Sequence, residues 1–257
     1  MCPGRLEKLG EEEILLTTGD GDCVCHVFTP GNGDAHPAVI FYMDGLGIRP
    51  ALLDMGRRLA DHGYVVLVPD LYYRAGPYTP LSPKELFASG DLMAALAPLM
   101  GSTDNLRAAE DSRAFLDYLA SRSDVTGTKV GTTGYCLGGG ISLTVAGTYP
   151  DRVAAAASFH GGRLVTDSEL SPSRVVPNIE ARVYVAGADY DDGYPPEMAE
   201  RLDELLTKAG VDHRLEVYTG ARHGFTMTDF PVYDEVAAER HWKELFALLD
   251  DTLKPAA

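Results

Sequence analysis

From about residue 13 onward, short runs of apolar and β-branched residues alternate with longer stretches in which apolar positions return every three or four residues. Residues 13–17 and 23–28 read as two short strands joined by Gly19-Asp20-Gly21, a hairpin signal. Residues 38–43 and 64–69 are nearly unbroken apolar runs, as expected of strands buried on both faces. Residues 153–159, 182–186 and 215–218 supply further strand patterns. Helical spacing occupies 50–62, 106–119, 196–209 and about 234–253, with Gly63 and Gly210 as stops. This alternation predicts an α/β chain with one mostly parallel sheet and helices on both faces. No linker or repeat divides residues 1–257, so a single domain is expected. Residues 75–103 mix Pro, Gly and Met with helical pieces and break the rhythm; a surface insertion over a pocket is expected there.

Candidate chemistry starts where the run from Lys129 meets Gly134-Tyr135-Cys136-Leu137-Gly138, beyond which helical spacing resumes through Ile141, Leu143, Val145 and Ala146. This is the nucleophile-elbow pattern with Cys in place of Ser. A turn from strand to helix in one step strains the nucleophile's backbone and leaves room only for glycine beside it, which Gly134 and Gly138 satisfy. The helix N-terminus favours a thiolate. In such sheets ligands bind outside the carboxyl ends of the strands. The loop after 182–186 is acidic, with Asp189, Asp191 and Asp192, and the loop after 215–218 carries His223 between Arg222 and Gly224. Nucleophile, acid and base thus follow one another in the order of an α/β-hydrolase triad. A thiolate would attack an acyl carbon, His223 would move the proton, and an Asp would hold the imidazole tautomer. The N–H groups of Leu137 and Gly45 are the expected oxyanion donors.

Composition narrows the partners. The net charge is −16, which argues against nucleic acid or an anionic membrane surface. Neither a signal peptide nor a membrane span is evident in the sequence, and the cytoplasm is the expected compartment. The four cysteines, Cys2, Cys23, Cys25 and Cys136, make no disulfide framework, and Cys23 and Cys25 read as small strand residues rather than metal ligands. No metal site is expected.

The combination of G-Y-C-L-G-G-G at 134–140, Asp44 with its glycine loop, P-D-L-Y at 69–72, an Asp-bearing loop and R-H-G-F at 222–225 resembles the dienelactone hydrolase family, over about residues 12 to 250. The resemblance implies a three-layer α/β-hydrolase fold, no cofactor, and a triad of Cys136, His223 and an Asp of the 189–192 loop. The family's acid stands about four residues before a proline, which favours Asp191 ahead of Pro195. Two positions depart from the pattern. Asp44 stands where the family has a Glu that restrains the thiol, shorter by one methylene. Met227 stands where an arginine grips the substrate's carboxylate, so a neutral or more apolar ester or lactone is expected. Tyr72, His160, Arg163, Phe225 and Met227 are candidate pocket residues. Tyr73, Tyr78 and Trp242 are expected mainly in packing, and Arg74 and Arg222 join Arg163 as alternative cations. Two rival readings are a catalytically weak small-molecule-binding protein on the same scaffold and a redox-sensing thiol protein.

Overall fold

The structure, a computed structural model, describes residues 9–79 and 82–254; Cys2 lies outside them. Its strands are β1 (Gly10–Thr18), β2 (Gly21–Thr29), β3 (Ala38–Tyr42), β4 (Val65–Pro69), β5 (Val130–Tyr135), β6 (Val153–Phe159), β7 (Arg182–Tyr190) and β8 (His213–Arg222). The helices are α1 (Pro50–Asp61), α2 (Pro83–Ser89), α3 (Leu92–Met100), α4 (Asn105–Ser121), α5 (Leu137–Thr148), α6 (Pro196–Ala209) and α7 (Glu235–Leu253). The strands form one eight-stranded sheet in the order β1-β2-β4-β3-β5-β6-β7-β8, in which β2 pairs antiparallel with β1 and β4 and every other pairing is parallel. The expected mostly parallel sheet is therefore present.

Side-chain alternation assigns the helices to faces. A Cβ on Gly131 would stand 2.5 Å from Leu249 of α7, while the next residue, Thr132, hydrogen-bonds Ser142 of α5 at 2.8 Å. Neighbouring strand residues point to opposite faces, so α5 and α7 cover opposite sides. Arg58 of α1 reaches Glu239 of α7 at 2.6 Å, which sets those two helices side by side. β3 and β4 are buried throughout, which explains their unbroken apolar runs, and β5 between β3 and β6 is buried as well.

Two strand ends differ from expectation. β7 and β8 continue as a parallel pair as far as Tyr190 and Arg222, well past residues 186 and 218. Gly187, Asp189 and Gly220 are residue types depleted in strands, so local pattern hides strands that are held by mutual pairing. The extension carries Asp189 into a strand and brings Asp191 and His223 to the tip of the pair.

The expected insertion contains α2 and α3; residues 80 and 81 lie outside the described residues. Leu86 and Leu96 pack with Leu46 in a small apolar cluster separate from the main core, flanked by Met100 and Phe230. Among the described residues no helix is long and apolar enough to cross a membrane.

Candidate active site

In sheet order β3 lies between β4 and β5, so the chain leaves β3 one way and returns on its other side. The loops after β3 and β5 meet at this switch point, where open α/β sheets form their crevice.

Cys136 ends β5 and begins α5 with φ 53 and ψ −113, a left-handed conformation for a residue with a side chain. The turn closes because its neighbours have none: a Cβ on Gly134 would lie 1.8 Å from the Gly138 carbonyl oxygen, and one on Gly138 2.4 Å from that of Tyr42. The same close approach sets Leu137 beside the end of β3 and the Asp44-Gly45 loop. Leu137 opens α5, so its N–H has no acceptor within the helix.

Of the three loop acids, Asp191 makes the contact with His223. Its Oδ2 accepts a hydrogen bond from His223 Nδ1 at 2.7 Å, and its Oδ1 accepts from Gly193 N–H at 2.9 Å. The Asp191 side chain is 4% exposed and that of His223 36%. Asp189 instead accepts from Gly220 N–H, and Asp192 is exposed. Because a carboxylate only accepts, Nδ1 carries the proton and Nε2 is left for the thiol of Cys136. Burial alone would lower the His223 pKa, but its hydrogen bonds to Asp191 and Cys136, and then their charges, raise it to about 10. An imidazolium at His223 is thereby favoured at neutral pH.

His160 lies beneath this pair, fully buried, with its ring edge-on to His223 at 5.2 Å and to Phe225 at 5.4 Å. Its Nε2 hydrogen-bonds Thr226 Oγ1 at 2.7 Å. Burial, and then the neighbouring His223 and His241, hold its pKa well below the usual 6.5. At neutral pH it is a neutral ring packed against His223.

The remaining expected residues fall into place as follows. Gly45 is buried, and the point where its Cβ would stand lies 3.6 Å from Met100 Sδ and 3.8 Å from Leu96 Cδ1. Tyr72, fully buried, donates its hydroxyl to the Gly45 carbonyl at 2.8 Å. Both carboxylate oxygens of Asp44 are taken by Arg49, at 2.7 and 2.8 Å, and Oδ1 also by Leu46 N–H, so its hydrogen-bonding capacity goes to its own loop. Phe225 and Met227 are fully buried. Arg74 is paired with Asp20 and Asp111, Arg222 lies over Tyr190, and Trp242 packs beneath Arg58 on α7. Tyr73 bonds Asp111 and Tyr78 bonds Asp70. Arg163 is exposed, without an ion pair among the described residues, and its N–H holds the Gly193 carbonyl at 2.7 Å. Sequence reasoning missed Arg49, Asp229 and Thr226, whose partners lie up to 180 residues away. Clefts of about 440 Å³ beside Arg74 and 530 Å³ beside Pro177 contain none of Cys136, Asp191 and His223. Among the described residues no group of side chains could hold a metal ion.

Known proteins resemble this chain over most of its length. The model of the dienelactone hydrolase family matches residues 25–253. A protein named as a candidate carboxymethylenebutenolidase from Methylorubrum extorquens is 26% identical over 237 residues, covering 91% of this chain and 78% of that one. One of the same name from Synechocystis sp. is 28% identical, covering 85% of this chain and 87% of its own. The crystal structure of a candidate dienelactone hydrolase from Klebsiella pneumoniae subsp. pneumoniae superposes with a TM-score of 0.81 at 22% identity, covering 94% of this chain and 98% of that one.

Proposed function

The chain belongs to the dienelactone hydrolase family, and we propose that this hydrolase cleaves a small, uncharged carboxylic ester or lactone with Cys136, His223 and Asp191 through an acyl-thioester intermediate. The observation that carries the reading is that His223 bonds Asp191 through Nδ1 and interacts with Cys136 beside it. Asp191 holds Nδ1 at 2.7 Å, and Cys136 lies close enough to the imidazole to help raise its pKa.

The Cys136 thiolate attacks the acyl carbon, and the oxygen that gains charge is met by the N–H groups of Leu137 and Gly45. The carbonyl re-forms as the C–O bond to the leaving group breaks, and His223 Nε2–H protonates the departing alkoxide. Acylation removes the thiolate and with it two of the contributions that raised the His223 pKa. The imidazole is then a better acceptor for a proton from water. Water adds to the thioester, the C–S bond breaks, and the acid product leaves with the thiolate–imidazolium pair restored. In a lactone the leaving alkoxide stays tethered to the acyl group, and the product is a hydroxy acid.

The uncharged substrate follows from what surrounds the site. Met227 is fully buried where the family resemblance places a carboxylate-binding arginine, and Arg49 is already neutralised by two carboxylates. A desolvated carboxylate at Met227 would lack a partner. The test is turnover of p-nitrophenyl acetate against an ester of the same length ending in a carboxylate. Hydrolysis of the neutral ester at least about tenfold faster is expected, from the lost charge-assisted hydrogen bond. A preference for the carboxylate ester contradicts the assignment.

A further inference from the structure

The loop that offers the Gly45 N–H carries a buried charge cluster with no part in the chemistry above. Arg49 closes the loop and begins α1, its carbonyl accepting from Leu52 and Leu53 N–H. Its guanidinium is nearly inaccessible. Nη1 and Nη2 donate to Asp44, Nη1 also to the Gly47 carbonyl at 3.2 Å, and Nε and Nη2 to Asp229 at 2.7 and 3.3 Å. The group lies over the Phe230 ring at 5.0 Å.

Asp229 and Phe230 belong to the segment that follows His223. That segment is a chain of tight turns, with Phe225 N–H bonded to the Arg222 carbonyl, Met227 to Gly224 and Phe230 to Met227. One guanidinium therefore joins the β3 loop to the segment carrying the base. The loop's own groups are engaged in turn: the Gly45 carbonyl by Tyr72, Leu46 N–H by the Asp44 side chain, and Gly47 N–H by the Asp44 carbonyl. Together these bonds fix the peptide that ends in the Gly45 N–H. Stability is a weak reason to keep such a cluster, because apolar replacements of buried ion pairs are often no less stable. Geometry is a stronger one, since an oxyanion donor works only if held close to where charge develops.

We propose that Arg49 is a positioning residue that braces the 44–47 loop against the 223–230 segment and so registers the Gly45 N–H with the His223 base. The proposal rests on the acyl-transfer reading given above. Lysine cannot replace Arg49, because an ammonium lacks the planar fork that spans two carboxylates.

Two reactions of the same thiol test it. Acylation by p-nitrophenyl acetate needs oxyanion stabilisation. Alkylation by iodoacetamide, in which the C–S bond forms as iodide leaves a saturated carbon, does not. Both rates are measured per titratable Cys136 in Arg49→Lys, in Asp229→Asn, and in the double variant Asp44→Asn with Arg49→Met, in which the partly exposed Asp229 is the one carboxylate of the cluster that loses its cation. Acylation is expected to fall about 10- to 100-fold in Arg49→Lys and the double variant, and about threefold in Asp229→Asn, against the 10² to 10³ expected for losing an oxyanion donor outright. Alkylation is expected within about twofold of the unsubstituted protein, because the oxyanion loop takes no part in it. Acylation and alkylation falling together, or neither falling, overturns the proposal. An unsubstituted protein that is alkylated but never acylated overturns the acyl-transfer reading instead, and the proposal with it.

Discussion

At the tips of β5, β7 and β8 the site is held by backbone, whereas at the end of β3 it is held by side-chain charge. Cys136 owes its position to a strained φ of 53 and to glycines whose missing Cβ atoms let two strands and a helix meet. The β3 loop owes its position to Arg49, whose two carboxylate partners lie five and 180 residues away. Backbone requirements are local and fix residue types; an ion cluster is long-range and many sequences could supply it. The first corner is thus rigid by construction, and the second can be loosened one side chain at a time.

The largest expected effect sharpens the first corner. Cys136→Ala and His223→Ala should each lower kcat/KM for p-nitrophenyl acetate by about 10⁴-fold or more, as for other triads. Cys136→Gly, equally inactive, should unfold at a higher denaturant concentration than Cys136→Ala, because glycine relieves roughly 1 kcal/mol of left-handed strain. A glycine variant less stable than the alanine variant would break the claim that backbone strain is stored there.

Asp191→Asn leaves the geometry and changes the tautomer, and should cost about 10³- to 10⁴-fold in kcat. It also separates the causes of the raised His223 pKa. Acylation should hold through neutral pH and decline as pH rises through about 10, where the imidazolium is lost. In Asp191→Asn that decline should move to lower pH, whereas an unmoved limb would assign the raised pKa to the thiol alone.

The second corner should yield in stability before it yields in chemistry. Arg49→Ala leaves Asp44 buried and uncompensated, a loss of about 3 to 5 kcal/mol by urea unfolding. The double variant with Asp44→Asn should recover most of it. Equal losses in both would mean that packing over Phe230, rather than charge, is what the arginine supplies.

A smaller effect comes from the buried imidazoles beside the triad. His160 is held well below 6.5, and burial pushes His241, bonded to Tyr135, down to about 3. Below pH 6.5 the unfolded chain takes up protons that the folded chain refuses, so stability should fall with pH by about 1.4 kcal/mol per unit for each histidine. His241→Phe should flatten that slope in urea unfolding between pH 6 and about 4. The α2–α3 segment should be less protected than the sheet: it rests on the small Leu46, Leu86 and Leu96 cluster and reaches the main core through Leu99, so its amides should exchange faster than those of β3 or β5.

The same contrast explains what could be read from the sequence. Buried strands, helix stops and the Gly-x-Cys-x-Gly turn are local signals, and they located Cys136, Leu137 and His223 at strand ends. Which carboxylate faces His223 is ambiguous in sequence among Asp189, Asp191 and Asp192, because three carboxylates in four residues look alike until strand register aims them. Pairing of β7 with β8 up to Tyr190 and Arg222 does so, and leaves Asp191 facing Nδ1. Arg49 left no signal at all, since nothing near it in sequence announces Asp229. Arg74 and Trp242 show the converse: residue types suited to a pocket that tertiary contacts hold elsewhere.

The most direct test of the central claim is a rapid-quench experiment with p-nitrophenyl acetate, read by intact mass and peptide mapping. The account predicts that a species heavier by one acetyl group forms at the rate of the nitrophenolate burst, maps to Cys136, and is absent in Cys136→Ala. Steady turnover without an adduct on Cys136, or hydrolysis that survives in Cys136→Ala, would contradict it.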